Sequence, residues 1–223
     1  TDRSRGLGDV YKRQMDTVTG SDTAYDRVAN YLDSLSYQML MTILIVAVLA
    51  AVISLLWSIF GAAPLEVGRD RYFMESRQAL SPAATVTSVF RTPYMNVVKV
   101  QFLKNLKIFV GTLLFVVPGI YWDYCYALVP YLLAENPYMT TTRAMQLSKD
   151  IMDGEKFHYF VLGLSFAGWI LLCMFTLGIG YFFLEPYRQA TDAEFYAAMR
   201  NKALAQGLTT TEELGGFVRH ESY

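Results

Sequence analysis

The chain has 223 residues with 19 basic and 20 acidic side chains, so no basic surplus points to nucleic acid as a partner. Apolar residues make up 53% and aromatic ones 15%, an excess that fits side chains placed at lipid–water boundaries. The two cysteines, Cys125 and Cys173, both sit in hydrophobic stretches and read as small apolar residues, which excludes a disulfide framework or a metal pair.

Thr1 to Gln14, TDRSRGLGDVYKRQ, looks like a translated sequencing-adapter scar and is set aside from fold reasoning as an artefactual leader. Met15 to Gln38 is polar and acidic, with Asp16, Asp22, Asp26 and Asp33 against Arg27. Met39 to Phe60 then runs 22 residues without a charge, long enough to cross a bilayer. Ala47, Ala51, Ser54 and Ser58 share one face of that helix, a groove for another helix.

Gly61 to Lys107 holds seven basic residues, which places this connection in the cytoplasm and the acidic start outside. Glu66 to Gln78 reads as a helix along the membrane surface, and Ser81-Pro82 starts a short one. Beyond Pro93, an apolar stripe of Val98, Phe102, Leu106 and Phe109 fits a basic amphipathic helix on anionic lipid, or the first turns of the next span.

Ile108 to Ala134 has 27 residues and a single charge, Asp123. Pro118-Gly119 interrupts it, because a proline deep in a membrane helix frees a backbone carbonyl. The expectation is one span kinked at that pair, with two half-helices returning to the same side as the alternative. An acid in an apolar run is a functional-site candidate by default. The crowd of Tyr121, Trp122, Tyr124 and Tyr126 around Asp123 suits an interfacial position, and proton or ion handling within the membrane is the other reading.

Glu135 to Lys156 reads as a connection with an amphipathic surface helix, capped near Thr140 to Thr142, ended by Gly154, and lined by Ala144, Ser148, Ile151 and Met152. Phe157 to Leu184 is the longest run, 28 residues free of Asp, Glu, Lys and Arg. Gly163, Ser165, Ala167 and Gly168 let a second helix approach, and Trp169 packs against it. Gly178 and Gly180 loosen the far end, and Pro186 ends or bends the helix before Tyr187. A polar helix-forming stretch follows to Gln206, and Gly207 to Tyr223 has the composition of a flexible tail.

Three blocks read together: VVPGIYWDYCYALVPYLLAENP, AMQLSKDIMDGEKFHYFVLGLSFAGW and TLGIGYFFLEPYRQATDAEFY. They resemble bacterial integral membrane proteins classed as domain of unknown function 975. The matching positions are Pro118, Gly119 and Ile120; Ala144, Ser148, Met152 and Gly154; Leu164, Ser165, Phe166, Gly168 and Trp169; and Gly178, Ile179, Gly180, Pro186, Tyr187, Phe195 and Tyr196. Ala63 to Gly68, APLEVG, looks like that family's exit from an earlier span. Two departures stand out: an additional first span usual in the family is missing, which fits a truncated start, and Asp153 replaces a common basic residue. The resemblance implies a bacterial cytoplasmic-membrane, multi-pass fold and no known activity. A more distant likeness to the membrane part of glycerophosphodiester phosphodiesterases imports no catalysis, which belongs there to a soluble metal-binding domain.

No constellation for chemistry emerges. His158 and His220 are far apart and in no metal-ligand spacing. No serine sits in a nucleophile elbow, no P-loop occurs, and Glu212-Glu213 falls in the tail. The expectation is therefore an all-α polytopic transmembrane bundle over 15–206, with spans at 39–60, 108–134 and 157–184 and with basic loop and C-terminus inside. It has no cofactor and is not an enzyme. A scaffold or accessory protein packing with membrane lipids, a membrane-protein partner or a second copy is expected. The alternative is a small transporter or channel using Pro118-Gly119 and Asp123.

Overall fold

The computed structural model describes residues 2–91 and 93–215, apart from the side chains of residues 2–5, 19 and 21–24. His220, the tail beyond Gly215 and the side chain of Asp22 lie outside the described residues. The fold is all-α, with no strand among the described residues. The chain divides into two compact units, Thr1–Leu55 and Leu56–Tyr223.

The first unit lies within helix α1 (Asp2–Trp57), which runs through the stretch set aside as a leader. From Leu40 onward its large apolar side chains are exposed, and the Ala47–Ala51–Ser54 face is exposed with them.

The second unit begins with a π-helical turn, Ser58–Ala62, and α2 (Ala63–Ser76). A 3-10 stretch, Ala83–Arg91, and α3 (Tyr94–Leu114) follow. Among the described residues two helices are long and apolar enough to cross a membrane, Tyr25–Ser76 and Lys156–Phe175, where three spans were expected. In the first of these the charge-free part is 39–60; α2 lies beyond it.

The run 108–134 is not one kinked span. Helix α3 stops at Leu114, Phe115 is extended (φ −155°, ψ 139°), and α4 (Val116–Cys125) starts at once. Proline explains the position of the break. Its ring clashes with the carbonyl four residues back, here Leu114, and it has no N–H to give. Within the first turn of a new helix neither defect matters, because those N–H groups have no partner anyway. Pro118 therefore starts α4 rather than kinking a longer helix. Gly119 then lets α4 fold back on α3: a Cβ there would lie 2.1 Å from Thr112 Oγ1 and 2.7 Å from its Cα. This is the returning pair of half-helices.

The end of the same run, α5 (Val129–Glu135), is buried at all seven positions. From Val129 to Ala134 its buried apolar residues fall on every side because other helices enclose it, not lipid, and Glu135 at its end is paired with Arg200. Around it pack α2, α3 and α6 (Thr141–Ile151), with Tyr131 stacked on Tyr196 at 5.1 Å. The expected surface helix at 141–151 is thus a core helix. Its predicted face, Ala144, Ser148, Ile151 and Met152, is buried, and Ser148 Oγ donates to the Cys125 carbonyl at 2.8 Å. Its Thr140 cap is as expected, accepting from the Arg143 N–H at 3.4 Å. On α3 the exposed stripe includes Phe102, Leu106 and Phe109, whereas Val97, Gln101 and Lys104 turn inward.

The run 157–184 is likewise divided. Helix α7 (Lys156–Ser165) passes through Phe166 into α8 (Ala167–Phe175). A tight turn then reverses the chain, with Leu177 at φ 52° and Gly178 at φ 84°, the left-handed region that glycine tolerates. Helix α9 (Tyr181–Ala205) returns along α8 and carries Pro186 inside it, so Pro186 does not end the helix. Both reversals expose apolar apices: Leu113, Phe115 and Val117 at one, and Phe175, Phe182 and Leu177, 93% exposed, at the other.

A crossing at 108–134 would place its two flanking connections on opposite faces of a bilayer. They touch instead. Asn96 Nδ2 donates to the carbonyls of Pro137 at 2.8 Å and Met139 at 2.9 Å, and Arg71 reaches the Ala134 carbonyl at 3.4 Å. Nor is the stretch from Gly207 to Gly215 loose. Thr209 and Leu214 are buried, and α10 (Thr211–Leu214) is capped by Thr210. Glu213 takes two hydrogen bonds from Arg143, at 2.6 and 2.8 Å.

Candidate functional site

Where α2, α4, α7, α8 and α9 converge, charged side chains collect beside an apolar wall. Helix α9 supplies Glu185, Arg188, Gln189 and Asp192, whose spacing puts them on one face. Helix α2 supplies Arg69 and Asp70, and the last turn of α4 brings Asp123 and Tyr124. Tyr159 of α7 meets Tyr124 edge to face at 5.9 Å. Asp123, Tyr124, Tyr159, Arg188 and Asp192 line a cavity of about 150 Å³, closed on its apolar side by Gly163, Phe166 and Ile170.

The ion pairs here are unevenly shared. Arg69 donates to Asp70 at 3.3 Å through two nitrogens and lies 3.9 Å from Glu185. Arg188 pairs with the same Glu185 at 3.4 Å, and Gln189 donates to it at 2.7 Å. Asp70 is 2% exposed. Burial pushes its carboxyl up to about 7, against the opposing pull of Arg69. Burial also raises Asp192 to about 6, with Arg188 and Arg69 opposing. Elsewhere in the core, Glu135 accepts from Arg200 and from Tyr196, each at 2.8 Å.

The other residues singled out in the sequence fall into separate places. Trp169, Gly180 and Tyr187 line an apolar cavity of about 430 Å³ between α8 and α9. Trp169 is 57% exposed there, so it does not pack into a neighbouring helix as expected. A Cβ on Gly180 would lie 2.7 Å from Cys173 Sγ, which makes this glycine a contact within the hairpin. Gly168 has open space around it, and Ser165 is exposed and donates to the Leu162 carbonyl at 2.6 Å. Pro118 and Gly119 belong to the α3–α4 reversal, apart from Asp123 at the other end of α4. His158 is exposed, its Nδ1 2.9 Å from Glu155.

Sequence reasoning passed over Arg69, Asp70, Glu185, Arg188 and Asp192. The signal for the last three was present, since 185, 188 and 192 recur at helical spacing. Asp70 carried none, because the helix 66–78 was read as a surface helix. Among the described residues no group of three or more His, Cys, Asp or Glu could hold a metal ion.

A family model described as "Protein of unknown function (DUF975)" matches residues 18–203. No curated protein and no solved structure matches the chain.

Proposed function

The chain belongs to the DUF975 family of proteins of unknown function, and from that premise we propose that it is a non-enzymatic scaffold or accessory protein of the bacterial cytoplasmic membrane. It packs with lipids and with a membrane-protein partner or a second copy. One observation carries this reading: every large apolar side chain of α1 from Met39 to Trp57 is exposed, as are those at the apices of two helical hairpins, while the helices of the second unit share one packed apolar core. Exposed apolar patches of that extent mark membrane or partner contact. The hairpins act as anchors that dip into the hydrocarbon and return, and the core rides at the headgroup level.

A re-entrant backbone in lipid needs its polar groups satisfied internally. Phe115 N–H bonds to the Gly111 carbonyl at 3.0 Å, and Gly178 N–H to the Cys173 carbonyl at 3.0 Å, which supports the reading at both reversals. The transporter reading has less support, because the break at Phe115 presents apolar side chains rather than a polar path. It keeps one argument, the cavity at Asp123.

The test is fractionation of the full-length chain followed by reconstitution. Retention in carbonate-washed membranes is expected, together with unchanged ion flux in vesicles when Asp123→Asn replaces wild type. A purified chain that stays monodisperse without detergent would end the membrane reading, and flux abolished by Asp123→Asn would favour the transporter.

A further inference from the structure

Contacts between α7, α8 and α9 fall in one antiparallel register. Glu155 pairs with Lys202, Tyr159 meets Phe195 at 4.9 Å, and Phe166 meets Tyr187 at 5.7 Å. Nearest the turn, a Cβ on Gly180 would lie 2.7 Å from Cys173 Sγ. The stretch Lys156–Phe175, long and apolar enough to cross a membrane, therefore has α9 alongside it throughout. That partner is apolar only near the turn. Leu177 to Leu184 carries no charge, and Glu185, Arg188, Asp192 and Glu194 follow. A crossing by α7 and α8 would draw Glu185, Arg188 and Asp192 into the hydrocarbon, where charges are costly. Glu185 is instead held by Arg188 at 3.4 Å and lies 3.9 Å from Arg69 of α2.

We infer that the α8–α9 hairpin is anchored in a single leaflet, with its turn short of the bilayer midplane and with Trp169 and Tyr187 among the headgroups of that leaflet. The partner of its exposed apex is acyl chain, not a protein helix. Three layers follow one another along the hairpin in the order a leaflet demands. Phe175, Leu177 and Phe182 are exposed at the tip. Trp169 and Tyr187, 57% and 62% exposed, come next, as aromatic belts do at the headgroup level. The ion pairs of Glu185 begin at that same level. From Gly178 to Glu185 the chain advances seven residues, roughly 10 Å of helical rise, against roughly 15 Å for half of the hydrocarbon. The exposure of Trp169 thus has a reason. This inference rests on the membrane reading above and gives it a depth and a side: both ends of the α7–α9 pair stay on the face where the core lies.

The experiment uses the full chain reconstituted in phosphatidylcholine vesicles, in the variants Leu177→Cys and Tyr187→Cys, each labelled with a fluorophore. Both positions are exposed, and the native Cys125 and Cys173 are buried. Lipids bearing a nitroxide on the headgroup or at the end of the acyl chain quench from two depths. The label at 177 is expected to be quenched more by the chain-end nitroxide, and the label at 187 more by the headgroup nitroxide. A crossing helix reverses that order, because Tyr187 lies opposite Phe166 at the middle of 156–175 and Leu177 would emerge at the far face; the reversed order overturns the proposal. Equal depths at the two sites mean a hairpin lying flat on the surface and overturn it as well. Either of those results from a chain that incorporates into the vesicles refutes the one-leaflet anchor alone; a chain that never incorporates refutes the membrane reading first.

Discussion

Asn96 on α3 gives both hydrogens of its side-chain amide to the backbone beyond α5, one to Pro137 and one to Met139 at 2.9 Å. Those bonds tie together two connections that a crossing at 108–134 would hold a bilayer's thickness, ~30 Å, apart. Single cysteines replacing Ala84 and Tyr138, both exposed, therefore become labelled from the same face of intact cells or spheroplasts. The native Cys125 and Cys173 are buried and give little background. Labelling of the two sites from opposite faces would mean that α3 and α4 form a span after all.

The glycines of the family pattern are not equivalent, and substitution separates them. A Cβ on Gly68 of α2 would lie 1.9 Å from the backbone carbonyl oxygen of Val86, which no rotamer change can relieve. Gly68→Ala is expected to cost at least the 1–3 kcal/mol or so of ordinary overpacking and to lower the melting temperature clearly. Gly168→Ala meets nothing within 4 Å and is expected to be neutral, or to gain up to about 1 kcal/mol of helix propensity. Thermal unfolding followed by circular dichroism decides it; equal effects at the two positions would mean that α2 does not pack against the 3-10 stretch this closely.

Helix content, the apolar runs and the buried face at Ala144 and Ser148 were legible in the sequence because periodicity records them directly. The number of spans was not. Length and oiliness cannot distinguish a helix wrapped in lipid from one wrapped in protein, and α5 is the second kind. Nor does an apolar run announce that it reverses. Pro118 and Gly119 did mark the discontinuity, but its position at Phe115 follows only from the clash of the proline ring with the Leu114 carbonyl. The polar cluster was hidden for a related reason. Gln101 and Lys104 of α3 lie off the apolar stripe but are buried, and Gln101 Nε2 donates to Glu66 at 3.3 Å.

Asp70 makes folding stability depend on pH in an unusual direction. Its carboxyl is raised from 3.8 to about 7 in the folded chain, so the folded state holds a proton that the unfolded state has lost. The stability it contributes is complete below pH 4 and disappears as pH rises through 7. The shift corresponds to something on the order of 4 kcal/mol across that window. Asp70→Asn removes the titrating group and keeps the shape. The difference in unfolding free energy between the variant and wild type is therefore expected to move in favour of the variant by a few kcal/mol from pH 4 to pH 8. Asp192 titrates in both proteins and cancels in that difference. A difference independent of pH would show that Asp70 stays ionised beside Arg69.

The segment after α9 provides the sharpest test of how far the folded core extends. Glu213 accepts from Arg143 at 2.6 and 2.8 Å and from Thr209 at 2.8 Å, and its backbone carbonyl accepts from Asn136 at 2.7 Å. Leu214, 1% exposed, belongs to the main core. The Arg143–Glu213 pair is part-exposed, so solvent limits its worth to about 1 kcal/mol. Burial of Leu214 is the larger contribution, about 2–5 kcal/mol by analogy with leucine truncations elsewhere. Ending the chain after Gln206 is accordingly expected to lower stability by several kcal/mol, Leu214→Ala by most of that, and Glu213→Ala by the smaller part. Denaturant midpoints of the three variants, measured in the same detergent, check the order. Full stability of the shortened chain would return 207–215 to the status of a loose tail.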